Sequence, residues 1–368
     1  MNTKREEDRW DRRLARSSYW GAVMTLILIV AGLLGSLYPD DIKGAIPRLG
    51  FKPFTRAVIF WGTALIGALM FYVRQRASDH ARAASERRLT DRAKELGTLI
   101  TTMPPADFLS RCQTLHWESS AAVNELLKTP VDQMPRGEIE RTIRVLLNGV
   151  AMLAHHFDAA RSDSHYAANL MIFVASESFE SMQLPILRAK LFFAEPDVDL
   201  LSLAGVLDLN LMLSATSEPG NDASDPELQP FALPVPSKTE SDLGISRVLP
   251  GAPRAFVQRA PDIYRDTMTL ADWCQNEGDF GKSVTRQVRE YFTNRQFRSF
   301  VSLPLYWPDK IPIAVLNIHR DAPGILRSDA NPESSKHFID VTAPLRTVLL
   351  TLVERLFERE RLDSALET

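Results

Sequence analysis

The sequence predicts an α+β chain: a two-helix transmembrane hairpin, a helical connector, and an antiparallel sheet flanked by helices. Three observations predict it. Two apolar runs near the amino end carry no charge. Short apolar runs with period-2 alternation, two of them joined by a Pro-containing turn, read as strands of one sheet. Longer stretches with apolar residues at helical spacing stand before and after those strands.

The first apolar run covers residues 20–38 and includes Ala22-Val-Met-Thr-Leu-Ile-Leu-Ile-Val-Ala-Gly-Leu-Leu. A helix needs about 20 residues to cross a hydrocarbon core, and this run is long enough. It exceeds the apolar stretch of a signal peptide, and no small-x-small cleavage site follows it. The second run covers 57–73, between Arg56 and Arg74. At about 17 residues it lies at the short end for a span. Trp20, Tyr38 and Tyr72 stand where aromatic side chains favour the headgroup level. Ala31 and Gly35, and Ala64 and Ala68 with Gly67, are small residues at spacings that let two helices approach.

Basic residues set the expected orientation. Lys4, Arg5, Arg9, Arg12, Arg13 and Arg16 precede the first run, and Arg74, Arg76, Arg82, Arg87, Arg88 and Arg92 follow the second. The positive-inside rule then places both termini in the cytoplasm and the chain in the cell inner membrane, with the lipid bilayer as a partner. The domain division expected is a basic amino terminus at 1–17, the two spans within 18–75, a helical connector at 76–136 and a sensor domain at 137–368.

In the connector, residues 74–100 read as helix, broken at Pro104-Pro105. A second helix covers 106–128. A third covers 137–160, with Ile139, Ile143, Leu146, Leu147, Val150 and Leu153 on one face. Ala168-Asn-Leu-Met-Ile-Phe-Val is a strand, and 207–214 alternates as a half-buried one. Residues 178–204 are mixed and partly helical, and 215–242 is a Pro/Ser-rich surface loop. Short helices follow at 251–258 and 282–293. Residues 297–305 and 311–319 are strands joined at Trp307-Pro308-Asp309-Lys310. The last helix starts near Phe338 and buries Val341, Leu345, Val348, Leu352 and Leu356.

Composition limits function. The chain has 368 residues, is 45% hydrophobic and 24% charged, and carries a net charge of -3. That charge does not mark a nucleic acid polymer as a partner. Cys112 and Cys274 stand in no CxxC or Cys/His cluster, so neither a disulfide framework nor a zinc site is indicated. Two thiols suit a reducing compartment. Gly278-Asp-Phe-Gly281-Lys282-Ser283 has part of a phosphate-loop pattern, but position 276 is Asn where Gly is required. His155 and His156 are adjacent and do not share a helical face as metal ligands would. No nucleophile motif and no paired carboxylates stand out, so the expectation is that the chain is not an enzyme.

The order of elements over 137–360 resembles a GAF domain. Arg298-Ser-Phe-Val-Ser-Leu-Pro-Leu, then Ile313-Ala-Val-Leu-Asn-Ile-His-Arg, carry the resemblance, with Ile245-Ser-Arg-Val-Leu-Pro-Gly-Ala-Pro-Arg-Ala-Phe-Val-Gln similar to the family's short helix. The resemblance implies a sensor whose ligand lies over one sheet face, under a roof formed here by 250–295. The candidates to line that site are Arg254, Trp273, Lys282, Arg286, Phe300, Ser302 and Asn317. Cations plus an aromatic wall would suit a charged small molecule such as a nucleotide. The Asn-Lys…Phe…Asp-Glu signature of the phosphodiesterase members is missing. Cys274 is followed by Gln275, not His, so the bilin-attachment pattern is missing too.

The function expected is thus a membrane-anchored cytoplasmic small-molecule sensor of GAF type. No catalytic module follows the final helix before Thr368, so it would signal through homo-oligomerisation or a partner protein. The alternative follows from architecture alone. Two amino-terminal spans and one sensor look like the effectors of cyclic-nucleotide anti-phage defence systems, which disrupt the membrane on binding ligand.

Overall fold

The computed structural model describes residues 56–367 and scattered positions between 25 and 36, apart from 103, 180–183, 219–223, 226–227, 238–247, 296, 309 and 330–331. The chain forms two compact units, Met1–Thr98 and Leu99–Thr368.

In the first unit the main described element is helix α1 (Arg56–Thr102). It carries the 57–73 run and continues without a break into sequence dense in Arg, Glu and Asp. Gly67 is buried, and Ile27 Cγ2 lies 3.4 Å from where a Cβ at Gly67 would stand. Among the described residues no helix is long and apolar enough to cross a membrane. This corrects two expectations: the transmembrane hairpin and the inner-membrane location. The physical reason at 57–73 is that the uncharged stretch ends at Arg74, short of the roughly 20 residues a bilayer core needs, while the helix runs on as a charged one. The 20–38 run lies largely outside the described residues.

The second unit is α+β. Helices α2 (Phe108–Lys128) and α3 (Arg136–Phe157) come first. The first of them stops because Thr129 precedes Pro130 and takes extended backbone. Strand β1 (Tyr166–Ala175), helix α4 (Leu184–Lys190), strand β2 (Gly205–Thr216) and strand β3 (Ala232–Val235) follow. Next are helix α5 (Ala252–Gln258), strand β4 (Asp262–Tyr264) and helices α6 (Leu270–Asn276) and α7 (Lys282–Asn294). Strands β5 (Ser299–Leu305) and β6 (Ala314–Arg320) and helices α8 (Pro332–Val341) and α9 (Ala343–Glu367) complete it. The strands form one sheet in the order β3-β2-β1-β6-β5-β4, antiparallel at each pairing.

Each face of the sheet has its own core. One face carries Tyr166, Ala168, Leu170, Val301, Leu303, Leu316 and Ile318, packed against α2, α3 and α9. Phe108, Phe157 and Phe338 meet there with ring centroids 5.0–5.8 Å apart. Each such side chain contributes about 1.5–3 kcal/mol by leaving water. The other face carries Met171, Leu207, Leu209 and Val315 under Leu249, Phe256, Leu270, Val284 and Val288.

Strand β2 serves both faces, which its even alternation does not foretell. Between the pairs Asn169↔Ser214 and Met171↔Leu209, β1 advances two residues (169 to 171) and β2 five (214 to 209). The odd surplus flips the side-chain parity. Leu207 and Leu209 then join one core and Leu213 and Ala215 the other. The backbone of the bulge is satisfied by side chains: Ser214 Oγ and Arg144 donate to the carbonyls of Leu211 and Met212, and Asn210 accepts from the Met212 N–H.

Other differences from the sequence reading have simple causes. The 215–242 stretch is not all loop, since β3 lies in it. Pro234 is tolerated there because β3 is an edge strand. Strand β4 is too short to show alternation. The last helix is two helices, broken between Val341 and Ala343.

Candidate functional site

The site is built on the floor of the second core. Register places Asn317 of β6 opposite both Asn169 of β1 and Ser302 of β5. The three side chains form one chain of hydrogen bonds across three strands. Ser302 Oγ donates to Asn317 Oδ1 at 2.7 Å, and Asn317 Nδ2 donates to Asn169 Oδ1 at 2.9 Å. Ser302 and Asn169 are buried. Two residues along β6, on the same face, lies His319. Its Nε2 is buried and has no hydrogen-bond partner among the described residues. Burial and the neighbouring His165 push its imidazole down to about 3, so it is neutral.

The roof is Leu249–Ala252 and the inner face of α7, with aromatic walls from Phe193, Phe231, Tyr291, Phe292, Phe297 and Phe300. Phe193 and Phe292 lie 24° from parallel, and Phe292 and Phe300 18°. These residues line a partly open cavity of about 90 Å³. A second cavity of about 360 Å³ shares Phe193 and Leu249 with it and extends to Glu195, Phe280 and Gly281. Gly251 takes φ 90° at the turn into α5, and a Cβ there would stand 2.8 Å from the Phe300 ring. Only glycine meets both demands.

The structure divides the expected site residues. Phe300, Ser302 and Asn317 line the cavity together. Arg254 and Trp273 do not line it. The Arg254 guanidinium lies over the Trp273 ring at 4.9 Å and donates to Asp262 at 3.0 Å, and Asp262 also accepts from the Gly251 N–H. That pair braces the roof from outside. Lys282 and Arg286 are exposed on α7 and line neither cavity. The reason is helical phase: Val284, Val288 and Tyr291 face the sheet, which turns 282 and 286 away from it. Among the described residues no charged side chain lines the inner cavity. The cationic cradle expected for a charged ligand is therefore not formed there.

Residue-type reasoning missed Asn169, His319 and Phe193. A signal existed for the first two, each a polar residue inside an otherwise apolar strand. Phe193 had none.

The other candidate chemistries are also placed. At Gly281, the amino end of α7, the Glu195 carboxylate occupies the space where a Cβ would stand. A carboxylate suits that end of the helix dipole, and it covers the position a phosphate would take. Cys112 and Cys274 are free and buried, and burial pushes Cys274 up to about 11, which keeps it an unreactive thiol. Among the described residues no cluster of His, Cys, Asp and Glu could hold a metal ion.

Compared with known families and curated proteins, the chain matches no family model and no curated sequence.

Proposed function

We propose that the unit Leu99–Thr368 is a small-molecule sensor of GAF type that binds and does not transform its ligand. One observation carries this reading: a cavity over one face of an antiparallel sheet, with a polar floor, aromatic walls and a roof from 249–292. Concave, mostly apolar sites with a few convergent polar groups are where small molecules bind. A roof from 250–295 is what the GAF resemblance implies, which supports the reading. Ligand occupancy is passed on through self-association or a partner protein. Leu109 and Trp117 of α2 and Val145 of α3 are apolar and exposed, which suits such a contact.

The test is a thermal-shift screen of the full chain against small metabolites that are neutral, anionic and cationic, repeated on Asn317→Leu. At least one class raises Tm through binding to the folded state, and the shift disappears in the variant. A cooperative melt that no compound displaces would overturn the reading.

A further inference from the structure

The hydrogen-bond chain on the cavity floor has a direction. It starts at the Ser302 hydroxyl and ends at Asn169. Asn169 Oδ1 is engaged, while its Nδ2 donates to no group among the described residues, and the residue is buried and lines the cavity. That amide N–H faces the cavity and can donate to a ligand there. His319 goes further. It is 5% exposed, lines the same cavity, and its buried Nε2 has no partner among the described residues. An amide donor and a buried ring nitrogen without a partner, both on one floor, suit one occupant with two polar atoms.

The walls define the rest of that occupant. Phe292 lies within 24° of parallel to Phe193 and within 18° of parallel to Phe300, which suits a flat ring. Among the described residues no lining side chain is charged, so a carboxylate or phosphate would find no cation there. The size is also informative. A cavity of about 150 Å³ admits benzene in another protein, and this one measures about 90 Å³. A ring therefore needs one wall to give. Phe193 is the wall that can give, because the larger second cavity lies on its far side.

Resting on the sensor reading above, we propose that the ligand is a neutral, planar, single-ring heterocycle or aromatic amide. An acceptor atom of the ring or its amide takes the Asn169 Nδ2–H, and a second polar atom pairs with His319 Nε2. Phe193 shifts toward the second cavity to admit it.

Calorimetric titration of the full chain with six probes tests this: nicotinamide and uracil, their anionic counterparts nicotinate and orotate, and benzene and toluene. Nicotinamide or uracil binds at least about tenfold tighter than its anion and than the apolar rings, because a buried polar site rejects partners that leave it unpaired. Asn169→Leu removes that preference, and Ser302→Ala, a milder change, weakens it if Asn169→Leu fails to fold. If the apolar rings bind as well as nicotinamide, or an anion binds better, the ligand class is wrong and the sensor reading stands. If none of the six binds a cooperatively folded chain, the proposal fails. The sensor reading falls with it only when the wider metabolite screen also finds nothing.

Discussion

Gln287 of α7 holds Phe193 from both sides of its peptide: it accepts from the Phe193 N–H at 2.8 Å and donates to the Ala194 carbonyl at 3.0 Å. Phe193 needs holding. Its φ of 57° is left-handed, a conformation that costs a bulky side chain about 1–3 kcal/mol. The residue that separates the two cavities is thus strained and clamped by a single side chain.

Gln287→Leu keeps the volume and deletes both hydrogen bonds. It should lower stability by about 1–3 kcal/mol in urea unfolding. Hydrogen exchange at 193 and 194 should accelerate by more than at 301 and 303 in β5. Unchanged exchange at 193 and 194 would show that the segment is held by packing alone.

His319 makes stability depend on pH with a definite sign. Its imidazole sits at about 3 when folded, and an unfolded histidine titrates near 6.5. Between those values only the unfolded chain takes the proton. Stability is therefore full above about pH 6.5 and falls below it by at most roughly 1.4 kcal/mol per pH unit. Urea midpoints at pH 7 and pH 5 should differ more for the wild type than for His319→Phe. Equal differences would mean that His319 is protonated in the folded state.

Gly251 and Gly137 make a matched pair. Gly251→Ala adds a Cβ against Phe300 at a left-handed φ and should cost about 1–3 kcal/mol. At Gly137, in the first turn of α3, an added Cβ meets nothing within 4 Å. Gly137→Ala should be neutral or stabilising, by up to about 1 kcal/mol. Similar midpoints for both variants would mean that the roof turn relaxes freely.

Asp158, just past α3, ties the paired residues Tyr166 of β1 and Arg320 of β6 to the 325–327 turn. Its carboxylate accepts from Tyr166 Oη at 2.6 Å, Leu326 N at 3.0 Å and Arg327 N at 2.8 Å, with Arg320 3.5 Å away. Leu326 and Arg327 both have left-handed backbone, so this acceptor fixes an otherwise unfavourable turn. Asp158→Ala should cost about 3 kcal/mol or more by chemical denaturation, and Asp158→Asn distinctly less. A small loss in Asp158→Ala would show that solvent replaces the carboxylate.

Four of the six strands and the backing helices were legible because their signals are local. Ile139, Ile143, Leu146 and Val150 recur every three or four residues, and α3 buries that stripe. The apolar runs 297–305 and 311–319, joined by a turn, gave β5 and β6, and the GAF resemblance pointed to Phe300, Ser302 and Asn317 on them. Local apolarity also misled: at 57–73 an uncharged run pointed to a membrane span, whereas it forms part of a longer, charged helix, and no helix among the described residues is long and apolar enough to cross.

By itself, then, the sequence determined the longer helices, four of the six strands and the buried stripe of α3, because side-chain periodicity is a property of neighbours along the chain. Tertiary structure alone decided the site. Asn169 meets Asn317 across β1 and β6, 148 residues apart in sequence, through a register that no local pattern encodes. The phase of α7 turned Lys282 and Arg286 outward, Arg254 was drawn to Asp262 and Trp273, and Phe193 became the wall between two cavities. Each outcome depends on which surfaces are buried against each other, and burial is settled only when the whole chain has packed.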